Sequence, residues 1–461
     1  MGIEDAVYVS LQKIVGKEFV SNREEELYIY SRDPGACQSG KVDYLVVPRT
    51  VEEVQEVVKL AGSKEIPIVP LGGGLNLSGL TVPFNGGIVL DMKRMDDIIE
   101  VNESSRYVLI EAGVTLGKLI YYLRKTHPDL RYSVPDAPPM ATIAGNALFY
   151  GSGHLSRYGA HSEMINGLEV VLPTGEICRL GSCAVSPSWF SRSPLPDLIS
   201  LFINWFGTTG VVTKLSLRLY PRHRIRDMLI FKIQNPDTIP DAIQRITATE
   251  MMEDVLIFAT MPKGSKVIMT FLLLYVTADS EKEFDFKQSI FKEMFEGSKI
   301  LNVPKEIFPA KLRNEFMLEP KHGIEDPADA KKGGGFDYVG ANLPLDQVPG
   351  AYRRGVEIAH KYGFNGPLYT IRNIGIGQGV IFTFIYSFNR ADEESLENSR
   401  KALIETTDMV LDVGGVPWKP SIDEQQRIIK KMDPVTFDLM KKIRGLLDPN
   451  GIMNPGNWEI Q

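Results

Sequence analysis

The chain has 461 residues, 43% of them hydrophobic, with 51 Lys plus Arg against 58 Asp plus Glu and a net charge of −7. That length and apolar content suffice for at least one large core and, at about 150 residues per unit, for about three structural units. The acidic balance argues against a nucleic-acid or anionic-membrane surface, which would need a basic face.

The first thirty residues mix charged groups with short apolar pieces and lack the continuous apolar core of a signal peptide. Residues 43–172 then alternate β-rich runs (43–47, 66–69, 88–91, 107–111, 168–172) with helices beginning at Thr50 and Thr115. The first helix shows its start: Thr50 with Glu53 makes a capping box, and Val51, Val54, Val57, Val58 and Ala61 form one apolar stripe. The second places Leu116, Leu119, Ile120 and Leu123 on one face. Residues 211–220 alternate as a half-buried strand ending at Pro221, and Arg222, His223, Arg224, Arg226 and Asp227 form a polar junction read as a domain boundary. Beyond it, strands at 228–233, 255–259, 267–275 and 380–388 and helices at 237–249, 282–296, 346–360 and 394–411 predict a second α+β domain, interrupted by a loop at Gly333-Gly-Gly335. The longest apolar stretch, 267–276 broken only by Thr270, is far short of the roughly 18 residues of a membrane span and reads as a buried strand. Helices at 423–431 and 433–447 precede the terminal segment Asp448-Pro-Asn-Gly-Ile-Met-Asn-Pro-Gly-Asn-Trp458. Cys37, Cys178 and Cys183 are too few for a disulfide framework and too scattered for an iron–sulfur or zinc site. A soluble cytoplasmic protein is expected, without direct membrane insertion and with any iron–sulfur chemistry on another chain.

The motif richest in chemistry is Pro70-Leu-Gly-Gly-Gly-Leu-Asn-Leu-Ser-Gly79, directly after the run at 66–69. Glycine accepts positive φ and lets a ligand approach the backbone, so such a loop can close its amides around a phosphate without a basic side chain. This makes a dinucleotide the first suspect, although the loop matches neither the six-residue dinucleotide fingerprint nor the phosphate-lysine loop, and a plain turn is the competing reading. The neighbours decide: Gly87-Ile-Val-Leu-Asp-Met-Lys-Arg-Met95, Glu111-Ala-Gly-Val-Thr-Leu-Gly117, Ala141-Thr-Ile-Ala-Gly-Asn-Ala147, and Tyr158-Gly-Ala-His-Ser-Glu163 leading into Gly167-Leu-Glu-Val-Val-Leu-Pro-Thr-Gly-Glu176. With Phe206-Gly-Thr-Thr-Gly-Val-Val-Thr213 and the terminal segment, the chain resembles the vanillyl-alcohol oxidase and p-cresol methylhydroxylase family of FAD-dependent oxidoreductases, over about residues 48–221 and 414–458.

The resemblance implies an α+β protein with a two-lobed FAD-binding domain at 1–222 (lobes of about 1–100 and 101–222). It also implies an α+β cap at 223–415 that shapes the substrate site, and a helical segment at 416–461 that returns to the FAD domain. Cofactor-binding candidates are Pro70, Gly72, Gly73, Gly74, Leu75, Asn76 and the Ser78 hydroxyl around the pyrophosphate. In the second lobe they are Pro135, Thr142, Gly145, Asn146, Gly151, Gly153, Tyr158, Gly159, Gly210, Val211 and Val212, with Asn454 and Asn457 closing from the C-terminal segment. Turn geometry is the plainer reading of any one glycine, and a helix-ending loop that of Asn454 and Asn457. Some relatives attach FAD to a histidine of the glycine loop, where this chain has Leu75, Asn76 and Leu77; others use a His or Tyr of the cap. The aligned segment 331–345 has no histidine, but it holds Tyr338, with His322 upstream. A non-covalent FAD is therefore expected, with Tyr338 as the competing attachment point.

Oxidising a C–H bond at a flavin needs a base for the substrate's proton. Asp136 stands where phenol-oxidising relatives carry an acid near the flavin, and His154 where they carry a tyrosine; a proline-flanked turn former and a structural histidine are the competing readings. Trp418 and Lys419 occupy the place of the relatives' Tyr-Arg phenolate clamp, which offers an apolar plate and an ammonium in place of a two-pronged guanidinium. Arg372 is a second candidate anion clamp. From residue 324 onward the only histidine is His360, so the metal-associated His-rich cap motif of the D-lactate and glycolate dehydrogenase branch is missing and no metal is expected. The reading is an FAD-dependent dehydrogenase that oxidises an aromatic or otherwise activated alcohol and passes electrons to a separate acceptor. The alternatives are a 2-hydroxy-acid dehydrogenase feeding an iron–sulfur partner, and a flavoprotein electron-transfer subunit; homo-oligomer formation is open.

Overall fold

A computed structural model describes residues 5–260, 268–319, 334–364, 368–377 and 379–460. His322 and residues 331–333 lie outside the described residues. Among the described residues three larger sheets organise the chain, beside a two-stranded pairing of Leu130–Arg131 with Tyr220–Pro221. The first, of four strands, runs Val20–Ser21, Tyr44–Val46, Ile88–Asp91, Ile68–Leu71, with the last three mutually parallel. The helix Val51–Lys64 crosses between the parallel strands. Its Thr50 side chain accepts from Glu53 N–H, while the Glu53 carboxylate accepts from Arg49 N–H, one residue earlier than an ideal capping box. Val54, Val57, Val58 and Ala61 are fully buried on one face, as their spacing predicts, each Val stabilising the fold by about 2 kcal/mol.

The second sheet is antiparallel, in the order Ile98–Asn102, Tyr107–Glu111, Val211–Arg218, Ile165–Val171, Ile177–Gly181, with the helix Leu116–Thr126 against it. One continuous apolar core joins both lobes, from Leu11 and Val46 through Leu119 and Leu215 to Ile452 and Met453. Arg49 also clamps the lobes, its guanidinium reaching Glu111 at 2.8 Å and Asp97.

The third sheet, of eight strands, belongs to the cap: Ile300–Val303, Ile225–Ile233, Met269–Ala278, Met252–Thr260, Leu368–Ile374, Gly379–Asn389, Gly334–Leu343, Val416–Trp418. Its helices Ile239–Ala248, Glu281–Met294, Val348–Lys361 and Glu393–Asp412 share a separate core with one sheet face. Where a glycine loop was expected, Gly334 and Gly335 begin a ten-residue strand. A Cβ on Gly335 would stand 2.6 Å from the Phe388 ring of the paired strand, so glycine here admits a neighbouring aromatic instead of making a turn. The cap sheet continues through Val416–Trp418, so the C-terminal segment contributes a strand to the cap before its helices Ile422–Lys431 and Pro434–Leu447. Among the described residues no helix is long and apolar enough to cross a membrane.

Candidate active site

The glycine loop leaves the parallel strand Ile68–Leu71 with its main chain unsatisfied. Among the described residues, the N–H groups of Gly72 through Ser78 donate to no protein acceptor; pairing resumes at Gly79, which donates to Asp33 at 2.7 Å. Amides in such a run need acceptors, and adjacent N–H groups with Gly74 and Ser78 at φ of 64° and 69° suit a diphosphate. The other lobe closes against this loop. A Cβ on Gly72 would overlap the Thr142 hydroxyl, and one on Gly73 would lie 2.8 Å from the Met140 carbonyl oxygen. A Cβ on Gly207, at φ 77°, would lie 3.2 Å from the Pro70 ring, so the segment Phe206 to Thr213, quoted from the sequence for the resemblance, is a third element at the loop.

The other cofactor candidates occupy varied places. The Asn146 side chain bonds to His161 Nδ1, whose Nε2 meets the Ser133 hydroxyl at 2.8 Å, and a Cβ on Gly151 would overlap the Asn146 amide. Because Asn146 offers its oxygen, His161 donates from Nδ1 and accepts at Nε2. Burial, followed by the nearby cations Lys419 and Arg372, holds His161 far below the usual histidine range, at about 3. Gly145 lies in the short helix Ile143–Leu148 behind Thr142, and Pro135 is buried beside Asp136. Gly153 comes within reach of His161 and the Val134 carbonyl. Tyr158 stacks on Tyr220 with centroids 4.2 Å apart, and Gly159 turns tightly over Glu163. Val211 and Val212 pair with the strand Ile165–Val171, and Gly210 packs on that strand's last carbonyl. The Asn454 side chain donates to the Leu80 and Phe206 carbonyls at 2.9 and 2.6 Å, and Asn457 accepts from Gln425 at 3.0 Å.

Asp136 and His154 meet Arg372, more than 200 residues further along the sequence, where the cap sheet faces the second lobe. The Asp136 Oδ2 lies 2.8 Å from Arg372 Nη2 and its Oδ1 lies 3.3 Å from His154 Nε2. Asp254, fully buried, sits 3.2 Å from Arg372. Burial alone would lower the Arg372 pKa, but the Asp136 and Asp254 charges outweigh it and raise it, so this cation is permanent. Four neighbouring cap strands each aim a polar group at this region: Arg226, Tyr275, the pair Glu253 and Asp254, and Arg372. Consecutive strand residues ordinarily point to opposite faces; the register shift between Met252 and Asp254 is a bulge that lets both carboxylates serve one buried network. Glu253 binds Arg131 at 2.8 Å and Arg226 at 2.6 Å, and Glu319 binds Arg131 at 2.7 Å. Burial would push Glu319 up, but Arg131 and Arg226 hold it at about 2. Of these residues, sequence reasoning named Arg226 only as part of a junction. The usable signal was acidic residues inside an otherwise apolar strand at 252–260.

Trp418 ends the cap sheet opposite Gly340, where a Cβ would stand 2.6 Å from its ring, and its indole N–H donates to the Tyr150 carbonyl of the second lobe at 2.8 Å. Lys419 follows in a left-handed conformation, φ 54°, with its ammonium 4.3 Å over the Trp418 ring. No carboxylate among the described residues pairs with it, and burial lowers its pKa to about 8. Tyr338 lies 6.0 Å from Trp418, ring to ring.

Two lobes that meet at a nest of free amides, under a sheet carrying paired acids and cations, define a flavin-dependent oxidoreductase. Residues 42–181 match the family described as FAD binding domain and residues 311–458 that described as FAD linked oxidases, C-terminal domain; the chain belongs to this family of FAD-linked oxidoreductases, and FAD is its cofactor. It is 26% identical to glycolate oxidase subunit GlcD of Bacillus subtilis, covering 97% of this chain and 95% of that protein. It is 28% identical to a D-lactate dehydrogenase of Archaeoglobus fulgidus, covering 89% and 90%. Its fold matches the crystal structure of p-cresol methylhydroxylase with substrate bound, with a TM-score of 0.86 at 20% identity over 99% of this chain and 96% of that one.

Proposed function

We propose that this oxidoreductase is a dehydrogenase for an aromatic or otherwise activated alcohol, with a separate protein as electron acceptor. The observation that supports it most is the gathering of Asp136, His154 and Arg372 at the cap–lobe interface, with Lys419, which pairs with no carboxylate among the described residues, over the Trp418 ring at the edge of the same sheet. The amides of Gly72 to Ser78 hold the FAD pyrophosphate, and FAD when bound supplies the hydride acceptor. Asp136, the most exposed member of the cluster with a side chain 32% accessible, takes the hydroxyl proton, and Arg372 fixes its orientation. Lys419 anchors an oxyanion or carboxylate of the substrate, with Trp418 as an apolar plate.

The likeness to glycolate oxidase and D-lactate dehydrogenase supports a second reading, a 2-hydroxy acid whose carboxylate pairs with Lys419 and whose electrons pass to an iron–sulfur partner. Anaerobic titration separates the two: an aromatic alcohol bleaching the flavin absorbance supports the first, lactate or glycolate doing so supports the second, and reduction by a partner protein alone overturns both. FAD is held without a covalent bond, so acid precipitation is expected to leave the yellow colour in the supernatant; colour in the pellet points to Tyr338 as its attachment.

Lys419→Ala is expected to keep FAD while raising KM. Because the ammonium is the anchoring form and is lost as pH rises through about 8, the wild-type KM is expected to climb above that pH and the variant's to stay flat. A parallel climb in both proteins would remove Lys419 from the site.

A further inference from the structure

The contact between Arg226 and His154 joins a cap strand to a second-lobe loop, and the proposed reaction leaves it without a task. Arg226 Nη2 lies 3.0 Å from His154 Nδ1. A guanidinium has donors only, so at this distance Nδ1 accepts and the ring's proton resides on Nε2. We propose that Arg226 is a positioning residue that fixes His154 as its Nε2–H tautomer, making the ring a stationary donor toward Asp136 and leaving Asp136 as the group that accepts the substrate's proton. This rests on the reading of Asp136 as the base.

The surroundings of the ring leave little freedom to contradict that arrangement. His154 is fully buried, and Tyr275 meets it edge to face, centroids 5.5 Å apart and planes at 87°. The same Tyr275 ring lies 4.8 Å under the Arg226 guanidinium, so one aromatic side chain sets both partners. Arg226 is tied from behind by Glu253 at 2.6 Å and lies 3.5 Å from Glu319. The rival for Nδ1 is Asp254, which would favour a proton there, but it is 3.9 Å away and is drawn to Arg372 at 3.2 Å. His161, neutral in its own network, adds no charge on the second-lobe side. On the opposite ring edge, Nε2 is buried without a hydrogen-bond partner among the described residues and lies 3.3 Å from Asp136 Oδ1, while Arg372 Nη2 lies 2.8 Å from Oδ2, so this carboxylate is the acceptor within reach of an Nε2 proton. A fixed tautomer matters because a ring protonated at Nδ1 would present a bare nitrogen to the carboxylate and repel it.

The test is nitrogen-15 NMR of histidine-labelled, FAD-loaded protein at pH 7, with the His154 signals assigned by their loss in His154→Gln. A protonated-type Nε2 and an unprotonated-type Nδ1 are expected in the wild type, and a mixture of tautomers in Arg226→Met. A proton on Nδ1, or on both nitrogens, in the wild type overturns the proposal, and the wild-type spectrum decides even if Arg226→Met does not fold. Should a substrate be in hand, His154→Gln, which keeps an N–H donor, is expected to retain turnover within about tenfold and His154→Leu to fall about a hundredfold further. Equal losses in two folded variants also overturn it. Since the spectrum needs no substrate, failure of the proposed reaction and failure of the tautomer assignment are separately visible.

Discussion

Gly73→Leu is expected to give a folded protein that purifies without yellow colour. Gly73 has no positive φ, so the substitution strains no backbone angle; its effect is steric and local. The new Cβ would stand 2.8 Å from the Met140 carbonyl oxygen, 3.1 Å from the Thr142 nitrogen and 3.2 Å from the Ala141 Cα, all main-chain atoms of the facing lobe that cannot rotate aside. Either the lobes separate or the loop turns, and in both cases the amides from Gly72 to Ser78 no longer converge. FAD affinity is expected to fall at least about a hundredfold, about 2.7 kcal/mol, with an unchanged far-ultraviolet circular dichroism spectrum. Gly74→Ala is the control: its Cβ meets only Leu71 at 4.0 Å, but its φ of 64° is left-handed, for a cost of about 1 kcal/mol and a partial loss of flavin. A Gly73→Leu protein with its full flavin-to-protein absorbance ratio would end the loop assignment.

Asp136→Asn is the second large effect expected, a fall in kcat of about 10² to 10⁴ with FAD still bound. Asparagine keeps the size of the side chain and its place between His154 and Arg372 but cannot accept a proton. Stranding a buried cation ordinarily costs about 3–5 kcal/mol, but Arg372 keeps its second partner, Asp254, at 3.2 Å, so the thermal midpoint is expected to move little. Rapid-reaction kinetics of flavin bleaching would separate this loss from slower substrate binding. Unchanged reduction rates would move the base elsewhere in the cluster.

What could be read from the sequence was what local chemistry dictates. Thr50 and Thr115 cap their helices as their spacing announces, and the valines of Val51–Lys64 bury on the expected face, because capping and amphipathicity act within a few residues. The glycine loop and the likeness carried by Ala141 to Ala147 pointed to the cofactor for the same reason. Asp136, His154 and Arg372 were suspected one by one, but nothing in their own segments revealed that Asp136 faces the other two. The Arg226–Glu253–Arg131–Glu319 network went unread because it depends on a bulge at Met252–Asp254 and on strands whose partners lie up to 188 residues away. The strand Gly334–Leu343 was mistaken at its start because Gly335 signals a turn by itself, whereas its reason lies in Phe388 on the next strand.

The C-terminal segment reaches back to clasp both lobes. Met453 bridges to Ile68, the strand that feeds the glycine loop; Asn454 grips Leu80 in one lobe and Phe206 in the other; and Trp458 stacks on Phe206 while its indole donates to Asn204. These residues follow the entire cap in the sequence, so the clasp on the two lobes is made by a segment that the cap separates from them. A polypeptide interrupted shortly before Met453 is therefore expected to lose the fastening and to retain less flavin, however well its cap has folded.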